Sequence, residues 1–151
     1  MASAQASDKF LCNNMCYMYD HDPANSTVAT DIAWVDMSGY GEFTVMAMSS
    51  ALTGVGITAF TIVANTGAAG GGTDREIKAH GVASAPDAVG DFLVLSCTAE
   101  EIAQAGKTNS ENLRYVTAIL TCANTADENV VVYIRSKPTF ASDGLTADYV
   151  S

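Results

Sequence analysis

Apolar and polar positions alternate in short runs along most of the chain. Val28 to Val35 alternates, with Ile32 and Trp34 on one face, and Glu42 to Met48 alternates with Phe43, Val45 and Ala47 on one side. Ile57 to Ala64 is β-branched and aromatic, Glu76 to Val82 is a weaker run, and Asp91 to Cys97 is a stronger one. Tyr115 to Cys122 and Val130 to Arg135 close the series. Period-two spacing sends successive side chains to opposite faces of a strand, so each run predicts a strand with one face toward a core. Gly, Asn and Asp break the runs at intervals of roughly 10–15 residues, which suits an antiparallel sandwich or barrel. The expected fold is all-β: an antiparallel β-sandwich, jelly-roll-like domain over residues 28–137. Whether the strands connect as a jelly roll or a simpler sandwich stays open.

One helix interrupts the strands. Thr98-Ala99-Glu100-Glu101 reads as a capping box, in which the threonine side chain caps a backbone N–H and the third-position glutamate reaches back. Gly106 followed by Lys107 supplies a stop, so the helix is expected over about residues 98–106. The glycine stretch Gly67 to Gly72 predicts a flexible hairpin tip. Residues 1–27 are set apart as an N-terminal arm. Within them, residues 9–19 (KFLCNNMCYMY) are apolar without helical or alternating spacing and must be covered by their own domain or by a neighbour. Residues 138–151 form a polar C-terminal tail.

The chain has 151 residues and a formal net charge of -10, from Lys+Arg 7 against Asp+Glu 17. One domain of this length buries a core without metal or disulfide staples. Hydrophobic types make up 48% and charged types 16%, the opposite of a disordered composition. Seven scattered basic residues cannot build the cationic patch that a phosphate backbone requires, so no nucleic-acid partner is expected. No apolar run approaches the roughly 20 residues of a membrane helix, and MASAQASDKF does not read as a secretory signal. Synthesis in a reducing cytoplasm follows as the expectation. Cys97 and Cys122 lie in apolar strand runs and read as small buried hydrophobes, whereas pairing of Cys12, Cys16, Cys97 or Cys122 is left open.

Candidate chemistry is sparse. Of the two histidines, His80 beside a turn reads as a surface strand-end residue. Cys12, Cys16 and His21 could begin a zinc site, but no second ligand pair accompanies them, and the preferred reading is an apolar arm anchor. The glycine run lacks the Lys-Ser/Thr ending of a phosphate loop, and Asp74 follows where an anion would want positive charge. No calcium loop or nucleophile elbow is present. No catalytic residue, metal or cofactor is therefore expected, and the chain is read as a non-enzyme.

Two segments carry a resemblance. Val35-Asp36-Met37-Ser38-Gly39-Tyr40 leads into one strand, and Leu113-Arg114-Tyr115-Val116-Thr117 opens another that a final apolar strand, Val130 to Ile134, follows. This order over roughly residues 35–135 resembles small β-sandwich virion proteins of tailed bacteriophages, in particular head decoration (cement) proteins. The resemblance implies a homotrimer or similar oligomer clamped on the outside of an assembled capsid, bridging capsomers, with the major capsid protein as partner. Strong negative charge suits an outer shell surface. Phe10, Leu11, Met15, Tyr17 and Tyr19 are the expected arm contacts, with an extra edge strand of the same domain as the competing reading. The alternatives are a phage tail or neck protein, or a carbohydrate-binding β-sandwich module with Trp34, Tyr40 and Tyr133 as aromatic platforms; Trp34, alternating with Ile32, reads as core, which weakens the last.

Overall fold

The computed structural model describes residues 15–21, 34–53, 56–68, 71–80, 88–124 and 126–138. Among these residues eight strands and one helix follow in order: β1 (Met15–His21), β2 (Val35–Asp36), β3 (Tyr40–Ala51), β4 (Ile57–Asn65), β5 (Arg75–His80), β6 (Phe92–Thr98), α1 (Ala99–Asn109), β7 (Tyr115–Cys122) and β8 (Glu128–Pro138). They form two four-stranded antiparallel sheets, the first in order β1-β8-β3-β6 and the second in order β2-β7-β4-β5. Every consecutive pair of strands except β4–β5 changes sheet, which is the connectivity of a jelly roll. The all-β sandwich expected from the alternation is the observed fold, and the topology that the pattern left open is now fixed.

The core lies between the sheets. Phe43, Val45 and Ala47 point inward from β3, Leu95 and Cys97 from β6, and Val131 and Tyr133 from β8. They meet Phe60 and Ile62 of β4 and Val116, Ala118 and Leu120 of β7. Both cysteines expected in the core are there, free and 1% exposed. A buried tyrosine is among the polar side chains that tie the sheets together. The hydroxyl of Tyr133, in the first sheet, accepts the Ala118 N–H of the second at 2.8 Å and lies 3.1 Å from Thr117 Oγ1. Its ring meets Phe43 edge-on at 5.2 Å.

The helix begins as its sequence dictates. Thr98 Oγ1 accepts the Glu101 N–H at 3.2 Å, and Glu101 Oε2 accepts the Thr98 N–H at 2.7 Å. Its end differs from the expectation at Gly106. The helix continues to Asn109, and Ser110 takes the left-handed cap at φ 57°. Gly106 is glycine for a packing reason instead: a Cβ there would stand 2.6 Å from the Glu111 carbonyl oxygen. The helix tolerates this glycine because the returning chain presses on it.

Candidate functional site: an apolar outer face

Antiparallel sheets with one face in a core ordinarily carry polar residues on the other. The first sheet does not over one half of its outer face. Between the buried positions of β3 stand Thr44, Met46 and Met48, between those of β6 stand Phe92, Val94 and Ser96, and between those of β8 stand Val130, Val132 and Ile134. The register sets them in rows across β6, β3 and β8: Phe92–Met48–Val130, Val94–Met46–Val132 and Ser96–Thr44–Ile134. Hydroxyls enter in the last of these rows, and the next row in the same phase, Thr98–Glu42–Ser136, is polar throughout, so the apolar part is confined to the Phe92 and Val94 rows and Ile134. At strand spacing near 4.8 Å and a rise near 3.4 Å, the two wholly apolar rows cover about 200 Å² of the sheet. Phe92 is 62% and Val94 51% exposed; Val89, in the turn before β6, is 64% exposed. The methionine and valine positions of β3 and β8 are half-buried. In the second sheet the corresponding outward positions pair Thr61 with Ile119 and Ala59 with Thr121.

The signal for this face was present in the sequence as a failure of alternation. Phe92-Leu93-Val94-Leu95 and Val130-Val131-Val132-Tyr133-Ile134 are apolar at every position, the mark of strands covered on both sides.

Of the expected arm contacts, Met15, Tyr17 and Tyr19 lie in β1, which pairs antiparallel with β8 at the sheet edge; their register partners are Arg135, Tyr133 and Val131. Phe10 and Leu11 lie outside the described residues. The backbone of residues 15–21 forms an edge strand of the first sheet.

The polar clusters are occupied in holding loops. Arg114 donates to both Asp36 oxygens, at 2.8 and 2.5 Å, and Arg135 donates to the Asp36 carbonyl while its guanidinium lies 4.3 Å over the Tyr40 ring. The Arg114 bond holds the Asp36 carboxyl below its ordinary value. Asp36 Oδ1 also accepts the Ser38 N–H at 2.8 Å, shaping the Asp-x-x-Gly-Tyr turn in which Gly39 stands at φ 82°. This cluster borders an open depression of about 170 Å³, lined by Met37, Ile102, Ala103, Leu113 and Arg114 among others. The one guanidinium there is already taken by Asp36. Arg75 and Glu111 form a second bidentate pair, at 2.8 and 2.7 Å, which lowers the Glu111 carboxyl. Buried Asp127 accepts from Thr53 N–H, Thr53 Oγ1 and Asn124 N–H, joining two loops.

The glycine run joins β4 to β5 as a hairpin connection, and its backbone is engaged. Buried Asn65 accepts the N–H groups of Gly67 and Gly72 at 3.0 and 3.1 Å and donates to Asp74 at 2.6 Å. Two of the N–H groups of the run thus serve a side chain of the same chain. His80 ends β5 and is half-buried. Among the described residues no group of three His, Cys, Asp or Glu converges; Cys12 lies outside them, as do the side chains of Cys16 and His21.

The aromatic platform set is corrected. Tyr133 is fully buried with its hydroxyl engaged in the core, so it cannot stack on a sugar. Tyr40 is half-buried beneath Arg135. Trp34, expected in the core, is half-buried instead.

No protein-family model matches this chain, and no curated sequence matches it. Among solved structures it is similar to the Yersinia pseudotuberculosis-derived mitogen (YPM), at 14% identity over 83% of this chain and 86% of that one, with a TM-score of 0.41. The fold assignment rests on the strand order and register described above.

Proposed function

We propose that this chain is a structural virion protein that docks the outer face of its first sheet on the outside of an assembled phage capsid. The observation that carries the proposal is the two-sided apolarity of β3, β6 and β8, which asks for a second protein layer over the sheet. Methionines at the centre of the face suit an irregular partner surface, because flexible thioethers fill gaps that branched side chains leave. The net charge of -10 keeps the rest of the molecule soluble and away from packaged nucleic acid. Jelly rolls serve both as capsid and as lectin domains, so topology supports the reading without selecting it. The burial of Tyr133 weighs against the lectin alternative.

The mechanism is mass action. A subunit that binds the finished shell and not its free components stabilises the shell by its binding free energy. Co-sedimentation with shells built from the partner capsid protein tests this. Saturable, stoichiometric pelleting with shells, and none with free capsid subunits, is the expected result. A variant lacking residues 1–19 tests the arm reading, which expects loss of pelleting, whereas the face reading expects retention by a variant lacking residues 1–14, in which β1 is kept. Absence of pelleting by the full chain overturns the proposal.

A further inference from the structure

Each sheet has two edges, and an exposed edge is a template for further pairing unless something guards it. In the second sheet β2 is only 2 residues long, and β5, Arg75-Glu76-Ile77-Lys78-Ala79-His80, is charged along its length. In the first sheet β1 carries Asp20 and His21. The fourth edge has no such device. β6 is 7 residues, Phe-Leu-Val-Leu-Ser-Cys-Thr, without charge, proline or bulge, and among the described residues its hydrogen-bonded neighbour is β3 alone.

The register shows which backbone groups face outward. Ser49 N–H donates to Asp91 O at 3.0 Å, one step before the Met48–Phe92 pair of the ladder. Bonded pairs alternate in an antiparallel ladder, so Leu93, Leu95 and Cys97 spend their N–H and C=O groups on β3. Those of Phe92, Val94 and Ser96 turn to the open edge. The next residue in that phase, Thr98, gives its N–H to Glu101 at 2.7 Å and closes the edge there. The residues with edge-facing backbone are thus the same ones whose side chains stand on the apolar outer face.

We propose that β6 pairs antiparallel with β6 of a second copy of this chain, about a two-fold axis through Val94. That register sets Val94 opposite its own copy and Phe92 opposite Ser96 of the partner, a large residue against a small one. It uses every edge-facing group from Phe92 to Ser96 and leaves the helix cap of Thr98 intact. The occupant is a second copy because the edge is self-complementary in this register. It is also the uncharged edge of a chain at -10, the place where two such chains approach with least repulsion. The contact is isologous and closes as a pair, so it builds a dimer where the virion resemblance implied a trimer. The inference stands apart from the capsid reading, since its test needs no shell.

An edge pairing buries less than the ~800 Å² per partner of a standard interface, so association in the micromolar range is expected. Light scattering on the full chain across a concentration series should show the mass rising from 15.7 kDa to twice that value. Added salt should favour the dimer by screening the net charge. Val94→Lys places two ammonium groups opposite each other and should weaken association about tenfold or more, with the fold retained because Val94 is 51% exposed. Val94→Cys should cross-link through a short bismaleimide, the site being read by mass spectrometry. Val89→Cys should not, since the same register sets two copies of that residue about 30 Å apart. A strict monomer at high salt, a trimer, a dimer indifferent to Val94→Lys, or equal cross-linking from both positions overturns the proposal.

Discussion

Removing one oxygen atom, by Tyr133→Phe, isolates one buried tie between the two sheets. The ring and its edge-on contact with Phe43 at 5.2 Å are retained, so the packing of the core is almost unchanged. What is lost is the acceptor for the Ala118 N–H and the partner of the Thr117 hydroxyl, both in fully buried residues. A buried donor left without an acceptor costs about 1–3 kcal/mol, so about 2 kcal/mol is expected here. With a urea m-value near 2 kcal/mol/M, this moves the unfolding midpoint down by about 1 M at constant m. Trp34, half-buried and the sole tryptophan, provides the fluorescence readout. Thr117→Val in the Tyr133→Phe background completes a double-mutant cycle, and coupling between the two is expected because they share one hydrogen bond. A Tyr133→Phe midpoint within about 0.2 M of the parent would refute the reasoning, since it would mean the Ala118 N–H is satisfied without the hydroxyl.

The remaining predictions concern the helix, the turn at Asp36 and the core thiols. Gly106→Ala should destabilise despite the better helix propensity of alanine, because its Cβ would meet the Glu111 carbonyl at 2.6 Å, whereas Ser110→Gly should stabilise by about 0.5–1 kcal/mol by relieving φ 57°; thermal melts of the two variants check both signs. Arg114 holds the folded-state carboxyl of Asp36 below its unfolded value, so its contribution is present above about pH 4 and is lost as the pH falls through the depressed value. Asp36→Asn should therefore flatten the acid limb of the stability profile and leave the slope near pH 7 unchanged, which urea titrations at stepped pH would show. Burial pushes the Cys97 thiol up to about 12, so its labelling by a thiol reagent at pH 8 should track global unfolding when followed site by site by mass spectrometry. Fast labelling of Cys97 in the native protein would contradict its placement in the core.

Much of this fold could be read from local chemistry. Phe43, Val45 and Ala47 alternate cleanly because β3 has a core on one side, and the capping box at Thr98 and Glu101 is a contact within four residues that needs no tertiary information. What escaped the sequence reading depends on distant neighbours. Gly106 looks like a helix stop until the chain at Glu111 is seen pressing on it. Tyr133 looks like a surface aromatic until its hydroxyl is found on β7 across the core. Asn65, which converts a phosphate-like glycine run into a pinned hairpin connection, gives no local cue beyond standing just before it. The outer face lay in plain view as consecutive apolar residues, yet which of them faced outward could be assigned only once the register of β3, β6 and β8 was known.

The central claim is that the outer face of the first sheet is the working surface, and exchanging charge into one face at a time tests it most directly. Val132→Lys stands in the middle row of that face, and Thr61→Lys stands on the outward side of the second sheet as the control; both positions are half-buried, so folding of each variant is verified first by its urea midpoint. In shell co-sedimentation the account predicts that Val132→Lys lowers affinity about tenfold or more while Thr61→Lys binds as the parent does. Parent-like binding by folded Val132→Lys, or loss of binding by Thr61→Lys alone, would contradict it.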